Sequence, residues 1–397
     1  MSTLALNMIV GANEATELKR CLDSFHVKEN FDEIIIGVTT GDASVKKTAK
    51  EYTDKVIDIL WADNTFPYGN FSRARNAVLD VTKSDSVMWL DADDGCLKKH
   101  REKFTELCKI VKDEVNASID AYFVPYAIAL DNNYEPMAVF MRERIFKNNG
   151  IFRWKNPVHE QFNVRWEDIH TAHIKNFFIT HMPSKPQYAS ATRNVKILDH
   201  EYQKNKKMAD PQLKYFLARD LLLSGGSDRA YKIFEEMVQK CEGSYENLYL
   251  ICLDSAFHSA YGAYNFRPAI DGLDLDNLDK IERWLRLALG FSMNYAEPYV
   301  MLGDLYMHRG CRKEAEHLYM TALQKKLYEG TMQTATFYEE LPAERLANIY
   351  TARSEYEKAL WYAKRSWLHN KGNKSLLKLR KEITTAILGE IKQYEEI

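Results

Sequence analysis

Short apolar runs alternate with amphipathic stretches over residues 1–180 of the chain. This alternation is typical of βαβ units around a mostly parallel sheet. We therefore predict an α/β domain with a Rossmann-like sheet in this part of the chain. The apolar runs lie at residues 4–10, 33–38, 56–60 and 87–90, and the amphipathic stretches lie at residues 16–25, 43–52 and 73–81.

The strand pattern stops after residue 190, and Leu, Ala, Tyr, Lys and Glu then recur at helical spacing. Three windows match the tetratricopeptide repeat of about 34 residues, in which two helices pack through small residues at fixed offsets. The matching residues are Leu217, Ala218, Leu221, Ala230 and Phe234 in the first window, Tyr299, Leu302, Gly303, Tyr306, Ala315, Tyr319 and Ala322 in the second, and Leu346, Ala347, Tyr350, Ala359 and Ala363 in the third.

These repeats predict an all-α tetratricopeptide-like domain at residues 189–397, following an α/β domain at residues 1–188. The windows are unevenly spaced, so we expect a degenerate helical pair at residues 248–289. A plain helical bundle is the alternative. We expect most aromatic side chains of this half to lie in its core, among them Tyr299, Tyr306, Trp361 and Trp367.

Composition narrows the classes of function. The 397 residues carry 54 basic and 56 acidic side chains, so only a local basic patch could attract nucleic acid or anionic lipid. Six scattered cysteines without a CxxC pair indicate reduced, mostly buried thiols. No apolar stretch approaches the ~18 residues of a membrane span, and residues 1–11 lack the features of a signal peptide. We expect a folded, cytoplasmic protein.

Three carboxylates, Asp91, Asp93 and Asp94, follow the apolar run at residues 87–90. Ligands bind outside the carboxyl ends of the strands of an open parallel sheet, so this position favours a site. Aspartates two residues apart cannot both be buried as ions without a cation. A hard divalent metal bound to a substrate phosphate would satisfy them. A solvated acidic turn is the alternative for this motif alone.

A second motif at residues 70–77 opens a helix and places Ser72, Arg73 and Arg75 near its N-terminus. Arg pairs with phosphate or carboxylate, and helix N-termini attract anions, so the motif favours an anionic ligand. Arginines paired with surface carboxylates are the alternative. The chain lacks a G-x-G-x-x-G after its first strand and a G-x-x-x-x-G-K-[ST] loop, which argues against a nicotinamide dehydrogenase and a P-loop NTPase.

Taken in order, these motifs resemble family 2 glycosyltransferases of the GT-A fold. They are similar in particular to the bacterial and phage subgroup typified by the sublancin S-glycosyltransferase. The resemblance covers nearly the whole chain. The segments that carry it are residues 8–14, 18, 20–22, 71–76, 89–93, 144–148, 157–161, 179–181 and 193–194, which lead into the repeats.

The resemblance implies roles for individual residues. Asp91 would lie near the ribose of the nucleotide, and Asp93 would reach a Mg or Mn ion bound to the sugar-nucleotide diphosphate. Asn13 and Glu14 would lie beside the base and the ribose. Arg75 would lie near the diphosphate.

Two further roles are implied by the later segments. Glu160, in the V-H-E segment, would be the general base, and His181 would contact the metal or the diphosphate. A capping or salt-bridging role is the alternative for Glu160, and an ordinary core or hydrogen-bonding role is the alternative for His159 and His181.

The chain departs from the family pattern after its second strand. Family members usually carry a D-x-G-S-x-D type segment there, whereas residues 39–42 of this chain leave only Asp42 nearby. Asp42 is therefore the candidate for recognition of the nucleotide at this strand. UDP is the nucleotide that the resemblance favours.

Together these parts imply metal-dependent transfer of a sugar, and the resemblance to family 2 implies inversion of configuration. A metal and Arg75 would neutralise the leaving diphosphate, and Glu160 would take a proton from the acceptor. The subgroup implies a peptide or protein side chain (Cys, Ser or Thr) as acceptor. A hydroxymethylated base of phage DNA or a cell-surface glycan is the alternative.

The helical half implies a partner. Stacked repeats present an extended concave surface, so we expect them to dock the acceptor or a second copy of the enzyme as a homodimer. A non-catalytic tetratricopeptide adaptor is the alternative from another class of function. The intact Asp91 and Asp93, with Arg75 nearby in the chain, argue against it.

Overall fold

The structure is a computed structural model of the chain. Contacts divide it into two compact units, residues 1–129 with 139–226 and residues 130–138 with 227–397. The structure describes residues 2–113, 118–130, 134–183, 187–204, 210–242, 245–261, 275–326, 333–371 and 374–395.

The first unit is built on a mixed sheet. Its strand order is β3-β2-β1-β4-β7-β6-β11-β5, with β10 beside β6, and β8 pairs separately with β9. The strands are β1 (Leu4–Val10), β2 (Glu33–Val38), β3 (Val56–Asp58), β4 (Ser86–Leu90), β5 (Asp94–Gly95), β6 (Ala121–Leu130), β7 (Pro136–Lys147), β8 (Trp154–Lys155), β9 (Gln161–Phe162), β10 (Thr171–His173) and β11 (Ile179–His181).

The pairs β3–β2, β2–β1 and β1–β4 are parallel, and β10 and β11 are parallel to β6. The pairs β4–β7 and β11–β5 are antiparallel. The prediction of a mostly parallel α/β sheet of GT-A type is therefore confirmed.

The helices described in this unit cover the sheet on both faces. Leu6 and Met8 of β1 pack in a core with Leu22 of α1, whereas Ile9 packs on the other face with Val78 of α4. Strands buried on both faces read as continuous apolar runs, which explains their signal in the sequence. The helices are α1 (Ala15–Ser24), α2 (Val27–Asn30), α3 (Ala43–Lys50), α4 (Phe71–Asp80), α5 (Arg101–Lys112), α6 (Gln187–Lys204) and α7 (Pro211–Leu223).

The strand order reverses at β1. This strand pairs with β2 on one side and β4 on the other, and Met8 lies opposite Leu90 near the carboxyl ends of β1 and β4. In open α/β sheets such a switch point is where ligands bind. The segments after β1 and β4, which contain Glu14 and Asp91, both begin there.

The second unit is helical. Consecutive helices pack in the pairs α9 with α10, α11 with α12 and α13 with α14, and α15 packs on α14. Its elements are α8 (Ser227–Gln239), α9 (Tyr245–Tyr261), α10 (Leu275–Phe291), α11 (Glu297–His308), α12 (Arg312–Ala322), β12 (Gln333–Thr334), α13 (Glu340–Ala352), α14 (Tyr356–His369) and α15 (Lys374–Glu395).

All three repeat windows fall on helices, but the first is divided between α7 of the first unit and α8 of the second. The first window lies on α7 and α8, the second on α11 and α12, and the third on α13 and α14. The degenerate pair corresponds to α9 and α10, although residues 262–274 lie outside the described part of the chain. The buried window positions include Leu217, Ala218, Ala230, Phe234, Leu302, Gly303, Ala315, Tyr319, Ala322, Leu346, Ala347, Ala359 and Ala363.

The expectation that four aromatic side chains lie in the helical core is wrong. Trp361 is 57% exposed, and Tyr299, Tyr306 and Trp367 are only half-buried. The buried positions of α11 and α14 are instead occupied by small and aliphatic residues such as Leu302, Gly303, Ala359 and Ala363. Apolar composition predicted their burial, but their position on the helix decides it.

The six cysteines are free thiols, of which four are buried and Cys241 and Cys311 are exposed. The expectation that most of the cysteines are buried is confirmed, and the reduced state of the thiols stays a prediction. Within the described residues, no helix combines the length and apolar character needed to cross a membrane.

The division predicted at residues 188 and 189 follows the change from strands to helices. Contacts instead group α6 and α7 with the sheet. The division into two domains at that position stays a prediction.

We expect Gly303→Ala to destabilise the α11–α12 pair. A Cβ at Gly303 would lie 2.5 Å from Cε1 of Tyr319, whose hydroxyl donates to Asp304 at 2.7 Å and fixes the ring. Overpacking of this kind costs about 1–3 kcal/mol, so the melting temperature should fall.

Gly290→Ala in α10 is the matched control. The added Cβ would meet no described atom within 4 Å. Because Ala favours a helix over Gly by about 1 kcal/mol, the melting temperature should hold or rise. Equal effects of the two substitutions would contradict the close packing at Gly303.

Candidate active site

Arg75 joins two of the predicted site residues. Its Nη2 atom donates to Oδ1 of Asp91 at 2.7 Å, and its Nε atom donates to Oε1 of Glu160 at 3.0 Å. The side chains of Arg75 and Glu160 are only 10% and 14% exposed. The helix motif, the D-x-D motif and the V-H-E segment therefore meet in one ion-pair network.

Two indole rings cover the guanidinium of Arg75. The ring centroids of Trp89 and Trp154 lie 4.7 and 5.1 Å from its Cζ atom. Burial opposes the charge, but Asp91 and Glu160 outweigh it and raise the pKa of Arg75. Arg75 is thus a permanent buried cation with two fixed carboxylate partners.

Asp93, Asp94 and His181 form a group that could hold a metal. One ligand atom from each lies within 4.8 Å of the others. His181 ends β11, which pairs antiparallel with β5 and places His181 opposite Asp94. Its Nδ1 atom lies 3.8 Å from Oδ1 of Asp93. Strand register therefore brings the predicted histidine to the acidic motif.

The carboxylate of Asp94 already has protein partners. Its Oδ2 atom pairs with Nη1 of Arg144 at 2.9 Å and accepts the backbone N–H of Asp91 at 2.9 Å. The side chains of Arg144 and Asp94 are 1% and 0% exposed. Asp93 and His181, about one third exposed, are the open members of the group, although Nδ1 of His181 also forms a hydrogen bond of 2.9 Å with the hydroxyl of Tyr126.

Asp93 and Asp91 have opposite electrostatic environments. Burial, followed by the charge of Asp91, raises the pKa of Asp93 to about 6, and Glu14 contributes to the same effect. Burial also opposes the charge of Asp91, but Arg75 and Arg144 outweigh it and lower the pKa of Asp91. Without a further cation, the charge of Asp93 is the less well compensated of the two.

Loops after β1 and β2 meet through Asn13 and Asp42. Asn13 has a φ of 59°, and its N–H donates to Oδ2 of Asp42 at 3.0 Å. Oδ1 of Asp42 caps α3 by accepting the N–H of Ser44 at 2.8 Å, and these hydrogen bonds lower the pKa of Asp42. Glu14 accepts the N–H of Gly11 at 2.8 Å. Binding of a nucleotide by these loops stays a prediction.

Arg73 does not join the network. It pairs with Asp63 and donates to the carbonyl of Leu60. Arg75 lies two residues further along α4, which is on the opposite side of a helix with 3.6 residues per turn. Pairing with a surface carboxylate, the alternative interpretation, is what the structure has for Arg73.

His159 also lies outside the network, although it precedes Glu160. It has a φ of 53°, and its Nε2 atom donates to Oδ2 of Asp220 at 2.8 Å. The nearby chain is attached to α4, because the Asn76 side chain accepts the N–H of Trp154 and donates to its carbonyl. The hydrogen-bonding alternative therefore describes His159.

Several residues that complete the site were not predicted. Trp89 directly precedes Leu90 and the D-x-D motif, and Arg144 opens a segment of the family resemblance, so both had a signal in the sequence. Trp154 and Asp220 lie far along the chain from their partners. Nothing in their spacing could have identified them.

Arg193 of α6 is a further cation near the network. Its guanidinium lies 4.6 Å from the ring centroid of Phe71, the first residue of α4. Burial lowers the pKa of Arg193, and the charges of Glu14 and Glu160 act in the opposite direction. Helix α6 therefore contributes a positive charge near the site.

Residues 8–173 match the family described as glycosyl transferase family 2. This part of the chain is a family 2 glycosyltransferase domain, and the protein is a glycosyltransferase. The chain is 24% identical over 306 residues to the SPbeta prophage-derived glycosyltransferase SunS of Bacillus subtilis (strain 168), which covers 68% of this chain and 67% of the relative. Glycosyltransferase SunS of Bacillus phage SPbeta gives the same figures. The predicted resemblance and the prediction of an enzyme are confirmed.

Two solved structures resemble the chain weakly. S. aureus TarS 1-349 has a TM-score of 0.31 at 10% identity and covers 82% of this chain and 93% of its own. TTC0263, a thermophilic TPR protein of Thermus thermophilus, has a TM-score of 0.32 at 20% identity and covers 51% and 94%. At these scores neither likeness bears on function.

The raised pKa of Asp93 predicts that the ionised side chain destabilises the fold at neutral pH. A carboxyl group with a pKa raised from 3.8 to about 6 binds protons more tightly in the folded state, so its ionised form destabilises the fold as the pH rises through 6. In metal-free buffer, Asp93→Asn should raise the melting temperature at about pH 7.5, and the gain should shrink towards about pH 5.

Thermal melting of both proteins across this pH range, with a chelator present, checks the prediction. Asp80→Asn is the control, because its side chain is 55% exposed at the end of α4. A gain for Asp93→Asn that does not change with pH would show that the charge of Asp93 is not the cause.

Proposed function

We propose that the protein transfers a sugar from a nucleotide diphosphate donor, with UDP as the nucleotide, to a peptide or protein side chain with inversion of configuration. The observation that carries this proposal is the location of two groups in the glycosyltransferase unit. Each group has a member in the segment that follows β4. Asp93 of this segment forms the open pair with His181, and Asp91 belongs to the network with Arg75 and Glu160.

Asp93 and His181 are the proposed ligands of a Mg or Mn ion. The charge of Asp93 is only partly compensated, as its raised pKa indicates, and a divalent cation would relieve this. Asp94 is bound to Arg144 and to the backbone of Asp91, so we assign it the part of holding the motif in shape. When bound, the metal would supply neutralisation of the diphosphate charge.

Donor binding is assigned to Asn13, Glu14, Asp42 and Asp91, which follow the carboxyl ends of β1, β2 and β4. Arg75 was expected to contact the diphosphate. Arg75 instead donates hydrogen bonds to Asp91 and Glu160, and an indole ring covers its guanidinium. These contacts support a different role for Arg75, which is to orient the two carboxylates. Orientation of this kind keeps both groups ready before the donor binds.

Glu160 is the proposed general base. Its Oε1 atom accepts from Arg75, whereas Oε2 makes no hydrogen bond within the described residues. This oxygen is available to accept the proton of an acceptor thiol or hydroxyl as that group attacks the anomeric carbon. The bond from the anomeric carbon to the diphosphate breaks as the bond to the acceptor forms, and the nucleoside diphosphate departs with the electron pair.

The acceptor and the place of action complete the proposal. A Cys, Ser or Thr side chain of a peptide is the acceptor class that the family resemblance implies, and the helical unit offers a surface for docking it or a second copy of the enzyme. The six free cysteines fit a reducing compartment, so we place the reaction in the cytoplasm.

Thermal shift measurements with UDP, GDP and dTDP, each with and without Mn²⁺, test the donor and metal. We expect stabilisation that needs UDP and metal together, by about 2.7 kcal/mol at a concentration of 100 Kd. Asp93→Ala should abolish the metal-dependent part and keep the fold, whereas the exposed control Asp80→Ala should keep it. A full metal-dependent shift in Asp93→Ala would refute the metal assignment.

Glu160→Gln tests the base. The amide keeps the size of the side chain but takes no proton, so we expect turnover to fall about 10²- to 10⁴-fold while UDP affinity stays close to that of the wild type. Release of UDP from UDP-glucose, with a Cys-containing peptide or water as acceptor, measures turnover. Glu167→Gln is the control, because that side chain is 79% exposed. Turnover at the wild-type level would assign the base to another residue.

A further inference from the structure

Three side chains of α7 form a stripe along one face of the helix. Gln212, Phe216 and Asp220 follow each other at intervals of four residues, which places them one above the other. Leu217 and Leu221, which belong to the first repeat window, are each one residue further on and lie about 100° around the helix. The α7 stripe is therefore separate from the apolar face of the repeat.

The α7 stripe holds both neighbours of Glu160. Nε2 of Gln161 donates to the amide oxygen of Gln212 at 2.9 Å. Nε2 of His159 donates to the carboxylate of Asp220 at 2.8 Å. The His159 ring also stacks on the phenyl ring of Phe216, with centroids 4.0 Å apart and planes 20° apart.

The contact between Asp220 and His159 is a strong constraint. Asp220 is 3% exposed, and His159 is the only hydrogen-bond partner of its carboxylate within the described residues. A buried carboxylate that loses its partner is costly, so the pair resists separation. His159 also has a φ of 53°, a backbone conformation that is uncommon outside glycine and needs support from its surroundings.

Glu160 is thus fixed from two directions. Its backbone lies between two residues that α7 holds, and its carboxylate accepts from Arg75, which also binds Asp91. We propose that the α7 stripe is a positioning element for Glu160, which keeps the V-H-E segment in the one conformation that presents this carboxylate beside Arg75. The inference rests on the proposed function of Glu160 as the general base.

Asp220→Asn is the main test, with two readouts. The amide cannot bind His159 as a charged acceptor, so peptides covering residues 156–163 should exchange their amide hydrogens faster. Release of UDP from UDP-glucose with Mn²⁺ should fall by up to about 100-fold, because small displacements of a catalytic group are costly. The KM for UDP-glucose and the calorimetric Kd for UDP should stay unchanged, since the stripe contacts none of the proposed donor-binding residues.

Two further variants separate positioning from a general loss of stability. Gln212→Leu removes the second contact from a half-buried position and should speed the same exchange to a smaller extent. Glu33→Gln is the matched control, because it removes a buried carboxylate from its pairing with Lys55 at the start of β2, at the opposite end of the strand from the site. It should lower the melting temperature but leave both exchange at residues 156–163 and turnover as in the wild type.

Unchanged exchange at residues 156–163 in both stripe variants would overturn the inference, whatever the activity. Faster exchange with wild-type turnover would overturn it as well, because the segment would then be free to move without consequence for Glu160. A wild-type protein that neither binds UDP with Mn²⁺ nor releases it would refute the proposed function instead. The two failures are distinguishable, since exchange is measured without substrate.

Discussion

The buried guanidinium of Arg75 is the interaction on which the site depends. Removing one partner of a buried ion pair costs about 3–5 kcal/mol, because the remaining charge is left uncompensated. Arg75 has partners on two different segments, Asp91 after β4 and Glu160 before β9. The indole rings of Trp89 and Trp154 keep water away, which strengthens both pairs. Helix α4, the acidic motif and the V-H-E segment are therefore fixed relative to one another by one side chain.

Charge is distributed unevenly among the three carboxylates that follow β4. Asp91 and Asp94 each have an arginine partner, whereas Asp93 has an imidazole at 3.8 Å and the repulsion of its neighbours. A fold under selection for stability alone would not retain this arrangement, and local departures of this kind are typical of functional sites. The poorly compensated charge is confined to Asp93, which is about one third exposed, since arginines compensate the charges of Asp91 and Asp94.

The sequence predicted the sheet and the acidic motif well, because both are local signals. Strands buried on two faces read as apolar runs, and Asp91 and Asp93 follow such a run directly. Pairings between distant segments could not be predicted from spacing. The register of β11 against β5 brings His181 to Asp94, and tertiary packing alone brings Trp154 to Arg75. Exposure was misjudged for Trp361, since composition does not say which side of a helix a residue occupies.

Helix α7 uses two of its faces for different purposes. Its apolar positions carry the first repeat window, whereas its polar stripe holds His159 and Gln161. A fragment that ended at residue 188, where the strand pattern gives way to helices, would contain Glu160 but not the side chains that hold its neighbours. If Glu160 is the general base, as proposed, a fragment must include α7, which lies within the first unit, to keep these contacts. Insertions or exchanges that begin after α7 would leave the contacts of His159 and Gln161 intact.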